Sequence, residues 1–391
     1  MLPLSRFKVL DVTLARAGPS TTRHLADWGA DVLRIEPPAA VSDARDISGG
    51  RFEPDQMNLN RNKRAMTLNL KDPRGQAIFM KLAAGSDVLV ENMRVNVKHR
   101  LGIDYESVRR INPRIVYGSI SGYGQTGPYS EWACIDPVIQ GMAGLMSVTG
   151  LPGQGPVRVG IAVADMAAGS FLAQAILAAL LEREATGVGR WVHTSLLESV
   201  ISMLDFQAAR WLMAGEVAGQ AGNDHPTAVP AGLYPTSDGQ VLIGAAGDRL
   251  WQRFCTLIGA DHFLRDSRYA DAAARRRHRD ELNKDISAIT GGNTTQYWVE
   301  LMNEGGIPCG PVNTIDKVFE DPQVEHTGIA LKGHFPRFGD ITLVGQPTNF
   351  EGIEKTMRLP PPALGEHTDE VLHHLDFSSD EIADLRRENV V

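Results

Sequence analysis

Cysteine is scarce in this chain of 391 residues: Cys134, Cys255 and Cys309 stand far apart and are odd in number. That excludes a disulfide framework and a CxxC metal site, and it predicts a reducing, cytoplasmic setting. No HExxH or Cys/His ligand spacing occurs, and His373-His374 reads as surface, so no metal is expected. A basic surplus is also absent, since 39 Lys and Arg face 47 Asp and Glu for a net charge of −8. No Lys/Arg-dense stripe interleaves with aromatics, so nucleic acid is not an expected partner. The main basic run, Arg275-Arg276-Arg277-His278-Arg279, lies beside Asp271, Asp280 and Glu281 and reads as a solvated helix face. Long hydrophobic runs are missing too. The longest, residues 166–181, falls short of the ~20 residues a bilayer span needs, so it reads as a buried helix and no membrane is expected. The opening MLPLSRFKVLDVT is too short in apolar length for a signal peptide. No GxGxxG follows the first expected strand, so a dinucleotide fingerprint is not supported.

What is present is the composition of a folded enzyme, 43% hydrophobic and 22% charged, at a length that suggests about two domains. Strands are expected over 8–13, 31–36, 65–70, 87–92, 114–121 and 190–196, with helices over 18–28, 73–84, 94–101, 104–111, 136–146 and 166–186 between them. Alternation of strand and helix predicts an α/β fold with a Rossmann-like parallel sheet, because crossovers are right-handed by default. Residues 37–60 read as a long loop. Ligands in such sheets sit at strand carboxyl ends, which marks Asn92 and the 121–128 loop as candidate lining. After a boundary loop at 219–230, a hairpin at 233–245 and helices at 248–259, 272–290 and 295–304 read as a smaller α+β domain.

One carboxylate stands out. Between Arg158 and Glu182, Asp165 is the only ionisable group. A charge deep in apolar sequence costs free energy unless it is paired or faces a cleft. Asp165 reads as the cap of the helix beginning near Met166, and alternatively as a nucleophile or base at a helix N-terminus.

An ordered set of strings then carries a resemblance. VLDVTLARAGPSTTRHLADWGADVLRIEPP, LNRNKRAMTLNLKDPRG, DVLVENMR, RLGIDYESV, NPRIVYGSISGYGQTGPY, PVRVGIAVADMAAG, DPQV and LGEHTDEVL follow one another between Val9 and Leu372, and the likeness they carry covers about residues 4–387. Together the chain resembles the class III coenzyme A transferases, the family of formyl-CoA transferase and of carnitine CoA-transferase. The resemblance implies that Asp165, in the segment from Gly160 to Gly169, attacks an acyl-CoA thioester through an anhydride and an aspartyl-CoA thioester, so coenzyme A is the co-substrate. It also implies that CoA passes Ala15 and Arg16, Leu68 and Lys71, Asn92 and Met93, and that Arg100 stacks on the adenine. Met93 replaces the family's commoner Phe. Two departures concern the phosphates: Pro37 follows Glu36 where the formyl enzyme has an arginine, and Ser121 stands in place of its lysine. Arg45, Arg61, Arg64 and Lys98 are the candidates to compensate.

For the acid pocket, Arg16, Tyr123 and His225 are the candidates. Arg16 stands where the formyl enzyme has a glutamine, and a cation there pairs with the distal carboxylate of a dicarboxylic acyl group such as succinyl. His225 is read equally well as a loop histidine held by Pro226. The family further implies an interlocked homodimer, with a large CoA-binding domain of residues 1–200 completed by 330–391. A linker at 200–225 leads to a small domain at 225–325, and active sites lie between the large domain of one subunit and the small domain of the other. Two rival functions exist. The racemases of the same fold use a histidine before an aspartate, but here that position is Ile135, which cannot shuttle a proton. A non-catalytic acyl-CoA-binding protein is the other, and the intact Asp165 segment argues against it.

Overall fold

The computed structural model describes residues 1–41 and 50–391; Arg45, and Gly49 of the expected 37–60 loop, lie outside the described residues. The chain opens with β1 (Lys8–Asp11), α1 (Ala17–Asp27), β2 (Asp31–Glu36), α2 (Pro54–Asn60), β3 (Lys63–Thr67), α3 (Pro73–Ala84) and β4 (Val88–Glu91). It continues with α4 (Val95–Arg100), α5 (Tyr105–Ile111), β5 (Val116–Ser121), α6 (Asp136–Met142), α7 (Leu145–Val148), α8 (Val163–Thr186), β6 (Trp191–Ser195), α9 (Leu196–Met203) and α10 (Phe206–Ala214). The six strands form one wholly parallel sheet in the order β3-β2-β1-β4-β5-β6. The order reverses between β1 and β4, so a crevice opens outside their carboxyl ends.

Helix α8 is the long central helix. Its buried residues Ala164, Ala168, Leu172, Ile176, Ala179 and Arg183 recur at three or four, a stripe that faces α1 and strands β5 and β6. Burying Leu172 and Ile176 contributes about 1.5–3 kcal/mol each. The helix is longer than the sequence suggests and is long and apolar enough to cross a membrane, yet half of that apolar window is buried inside the protein. Gly169 permits its closest approach to α1: a Cβ there would lie 2.8 Å from the Ala17 carbonyl oxygen and 2.9 Å from Ser20 Cβ. Gly187, at φ 73°, ends the helix in the left-handed conformation that suits glycine.

Four expectations shift. The 37–60 stretch is not all loop, because α2 buries Met57 and Leu59 under a polar exterior. The third strand runs over Lys63–Thr67 rather than 65–70, since Lys63 is fully buried against Asp11 at 3.0 Å and can occupy an inward strand position. A single helix to about Ala214 is expected after the strand at 190–196, yet that segment forms two, broken at Asp205, which has φ 45°. The expected helix over 272–290 breaks at His278.

Contacts divide the chain into two units: residues 1–145, 158–217 and 325–391, and residues 146–157 with 218–324. In the first, the C-terminal segment closes the β3 side of the sheet. His367 donates its backbone amide to Ala65 O at 2.8 Å, and Asn69 N donates to Val390 O at 2.8 Å. The second unit holds a three-stranded antiparallel sheet of β7 (Ala231–Pro235), β8 (Gln240–Gly244) and β9 (Cys309–Pro311). Helices α11 (Asp248–Leu257), α12 (Ala272–Arg277), α13 (Arg279–Thr290) and α14 (Thr295–Glu304) accompany it. Its basic run is not simply a solvated face. Arg275 is fully buried and donates to the carbonyls of Val229, Tyr269 and Ala246 and to Asp248 Oδ1 at 2.7 Å, while Arg276 and Arg277 are exposed. Burying a cation is tolerable when every donor direction meets an acceptor.

Candidate active site

The loops after β1 and β4 meet at the switch point. Below them, Asp11 receives Lys63 Nζ at 3.0 Å, Thr22 Oγ1 at 2.6 Å and Thr13 Oγ1 at 2.5 Å. Burial pushes the Asp11 carboxyl up, but Lys63, Arg34 and the two threonines outweigh it and hold it below its usual value. Above this pair the chain turns through Ala15 at φ 58°, which leaves Leu14 and Ala15 exposed. Asn92 holds the turn: its Oδ1 accepts from Leu14 N at 2.8 Å and its Nδ2 donates to Leu14 O at 2.7 Å. Both ends of that amide are therefore spent on the backbone of the turn. Met93, half-buried beside it, donates its amide to Glu91 Oε2 at 2.8 Å.

Asp165 lies in the first turn of α8, three residues past Ala162, which precedes the helix and offers no side-chain cap. Contrary to the sequence expectation, Asp165 is not the cap. That role falls to Asp136, at the start of α6. Its Oδ2 accepts from Ala164 N at 2.7 Å and from Asp165 N at 3.4 Å. Its Oδ1 accepts from Gln140 Nε2 at 2.6 Å. Gln140 is fully buried and is itself fixed by Val159 N and Ile161 O. Among the described residues, the Asp165 carboxylate accepts no hydrogen bond. Burial pushes its pKa up to about 6, the neighbouring Asp136 adds to this, and Arg16 opposes it.

Around the pair stand three more groups. Arg16 precedes α1 and forms an ion pair with Asp55 of α2, with about a quarter of its side chain exposed at 28%. Cys134 packs on Gly122, where a Cβ would come within 2.4 Å of Cys134 Cβ. Burial, with Asp165 and Asp136 nearby, pushes its thiol up to about 11, so it stays protonated at neutral pH and is no competing nucleophile. Tyr123 Oη donates to Met142 Sδ at 3.3 Å, and its ring meets Tyr129 and Trp132 edge-on at 5.9 and 6.0 Å.

The other expected residues are placed as follows. Leu68 is a core side chain, 1% exposed, so only its backbone is offered to the crevice side. Lys71 and Arg100 are exposed and, among the described residues, make no ion pair. Of the four compensating cations, the three among the described residues are already committed. Arg61 forms a bidentate pair with Asp27 at 3.0 and 2.6 Å, and Arg64 with Asp31 at 2.9 and 2.7 Å. Lys98 is buried between Glu91 at 2.8 Å and Gln125 at 2.5 Å. His225 belongs to the second unit, where its Nδ1 accepts from the amides of Thr227 at 3.2 Å and Ala228 at 3.0 Å. That arrangement puts the ring proton on Nε2. Among the described residues no group of three His, Cys, Asp or Glu side chains is gathered as a metal ion would require.

Sequence reasoning missed Asp136 and Asp55. For Asp136 a signal existed: Asp136 and Gln140 stand four apart, one turn of a helix, among apolar neighbours, and such a polar pair on one face needs buried partners. For Asp55 none existed, because α2 itself was not expected.

A profile of the family described as CoA-transferase family III matches residues 4–368. Succinyl-CoA:glutarate CoA-transferase of Mus musculus is 36% identical over 95% of this chain and 86% of its own length. Succinate--glutarate CoA-transferase of Agrobacterium fabrum is 34% identical over 96% of both chains. The crystal structure of a CAIB/BAIF family protein from Brucella suis superposes with a TM-score of 0.83 at 32% identity, covering 96% of this chain and all of that one. The chain belongs to CoA-transferase family III.

Proposed function

We propose that the protein moves CoA from succinyl-CoA, or another dicarboxylic acyl-CoA, to a carboxylic acid, with Asp165 as the covalent nucleophile. The observation that carries this is the half-buried Asp165 carboxylate, without a hydrogen-bond partner among the described residues, at the carboxyl side of a parallel sheet. A carboxylate that is neither paired nor fully solvated is a stronger nucleophile than one in water. Relatives that act between succinyl-CoA and glutarate support the substrate class.

Each step balances without an external base. An Asp165 oxygen attacks the thioester carbon, and the CoA thiolate leaves to give a mixed anhydride. The thiolate then attacks the Asp165 acyl carbon, which releases the donor carboxylate and leaves an aspartyl-CoA thioester. The acceptor carboxylate attacks that carbon, expels the thiolate and forms a second anhydride. Attack of the thiolate on the acceptor carbonyl releases the new acyl-CoA and restores the Asp165 carboxylate. The absence of a partner base is therefore compatible with this chemistry. It fits poorly with a two-base racemase, since Ile135 stands exposed where such an enzyme needs its histidine.

In this reading the exposed turn at Leu14–Arg16, held by Asn92, lies along the CoA path, with Met93 beside it and the Leu68 backbone near the adenosine. Arg100 stacks on the adenine, and Lys71 and Arg100 meet the negative charge of the nucleotide end. Arg16 and Tyr123 line the acid pocket. The large unit binds CoA, and the protein works in the cytoplasm as an interlocked homodimer. Exposed Trp211, Leu212 and Met213 on α10, at 56, 80 and 88%, support a large apolar interface.

The decisive experiment incubates the protein with succinyl-CoA and quenches with hydroxylamine. Mass spectrometry should find a hydroxamate on Asp165. Asp165→Ala should lose both the adduct and CoA transfer while remaining folded. Transfer retained by Asp165→Ala would sink the reading.

A further inference from the structure

A helix begins with free amide groups, and an acidic side chain in its first turn is drawn back onto them. Asp165 stands in such a turn, behind an alanine that cannot cap. Left alone, its carboxylate would fold onto the amides and be lost as an attacking group. The amides are already taken. Asp136 reaches them from α6 with Oδ2, while Gln140 holds Oδ1. Asp136 is only 6% exposed, and both of its oxygens are engaged in these hydrogen bonds.

We infer that Asp136 is the positioning residue for Asp165: it occupies the leading amides of α8 with its own carboxylate, and so leaves the Asp165 carboxylate free for attack. This rests on Asp165 being the nucleophile. The arrangement has an electrostatic side. The charge of Asp136 is spent on a helix N-terminus, where anions are favoured, and the helix end therefore does less to stabilise the charge on Asp165. Other groups facing Asp165 are few. Arg16 approaches from α1 and attracts it, and the Cys134 thiol approaches from the loop before α6 and is uncharged. Farther along α8, Arg23 and His24 belong to later turns of α1, and Glu198 of α9 is bound by Ser195 Oγ at 2.6 Å.

Asp136→Asn tests this, because asparagine keeps an oxygen for the amides and removes the charge. The acid limb of kcat/KM reports the free enzyme. For the unmodified protein it should fall to half near pH 6, leaving about a tenth of the plateau at pH 5. In Asp136→Asn the limb should move about one pH unit lower, so about half of the plateau remains at pH 5, and the plateau itself should drop because charged Asp165 is a weaker nucleophile. Asp136→Ser, with a shorter acceptor, should move the limb the same way and is the second variant if the first does not fold. KM for acyl-CoA should change little in either. An unmoved limb in a folded variant overturns the inference. The hydroxamate on Asp165 separates the two ideas: if it still forms while the limb is unmoved, the nucleophile stands and the positioning role falls. If it never forms in the unmodified protein, the nucleophile itself is wrong.

Discussion

A carboxylate kept half-buried and unbonded destabilises the native state when charged. The pKa of Asp165, about 6, lies above the ordinary 3.8, so the native state holds the proton more tightly than the unfolded chain. Its contribution to stability is fully present below about pH 4 and is lost as pH rises through 6. Asp165→Asn should therefore be inactive yet more stable, by on the order of 1–3 kcal/mol at pH 7, with the difference vanishing below pH 4. Urea unfolding at several pH values measures this; equal stability at pH 7 would show that the site stores no such cost. Asp165 was legible in the sequence because no other charge interrupts residues 159–181. Its cap was not. Asp136 lies 29 residues earlier, and only the packing of α6 on α8 brings its carboxylate to those amides.

At the scale of elements, the sequence showed most of the sheet. DVLRIE is strand β2 to the residue, and Gly29, at φ 105°, ends the preceding turn as a turn glycine should. The errors arose where buried charge imitated loop. Lys63 and Arg61 are as enclosed as leucines, and a hydropathy pattern counts them as surface. Helix α2 was hidden the same way, and it supplies Asp55, the partner of Arg16. That pair bears on substrate choice. In the proposed reading, a second carboxylate on the acyl group would meet an arginine that already pairs with a carboxylate, that of Asp55. Arg16→Ala should raise KM for dicarboxylic acids about ten-fold more than for monocarboxylic acids of similar length, as expected for a lost charged hydrogen bond worth about 1.5–3 kcal/mol. Equal losses in a steady-state comparison would remove Arg16 from the acid pocket.

For the whole molecule, a second buried group opposes Asp165. His24 lies against α8 with its Nδ1 near Gln346 Nε2 at 3.2 Å and its Nε2 near Ser170 Oγ at 3.5 Å. Burial, aided by Arg23, lowers its pKa to about 4. Its stabilising contribution is present above pH 6.5 and is lost as pH falls towards 4. Between pH 4 and 6.5 the two groups slope in opposite directions, so together they flatten the stability curve. His24→Gln should remove one slope, making the variant lose less stability on acidification, by up to ~3 kcal/mol between pH 7 and 4; a curve as steep as that of the unmodified protein would refute this. The same view explains why the overall division was hard to read. Residues 146–157 run from within α7 into a stretch rich in glycine and proline that reads as an ordinary loop before α8, yet their contacts belong with 218–324. Within that unit Gly222 N donates to Gly150 O at 3.1 Å, and Gln220 Nε2 donates to Thr149 O at 2.7 Å.

That short excursion has a genetic consequence. Three stretches of the first unit alternate with two of the second, so the chain passes between them four times. Cutting the gene once, at any codon, cannot yield two self-sufficient products. A shuffled or fused second unit would have to carry both of its pieces, and its smaller piece ends only a few residues before Asp165. Recombination that swaps the one therefore cuts beside the other, and Asp165 itself stays with the first unit.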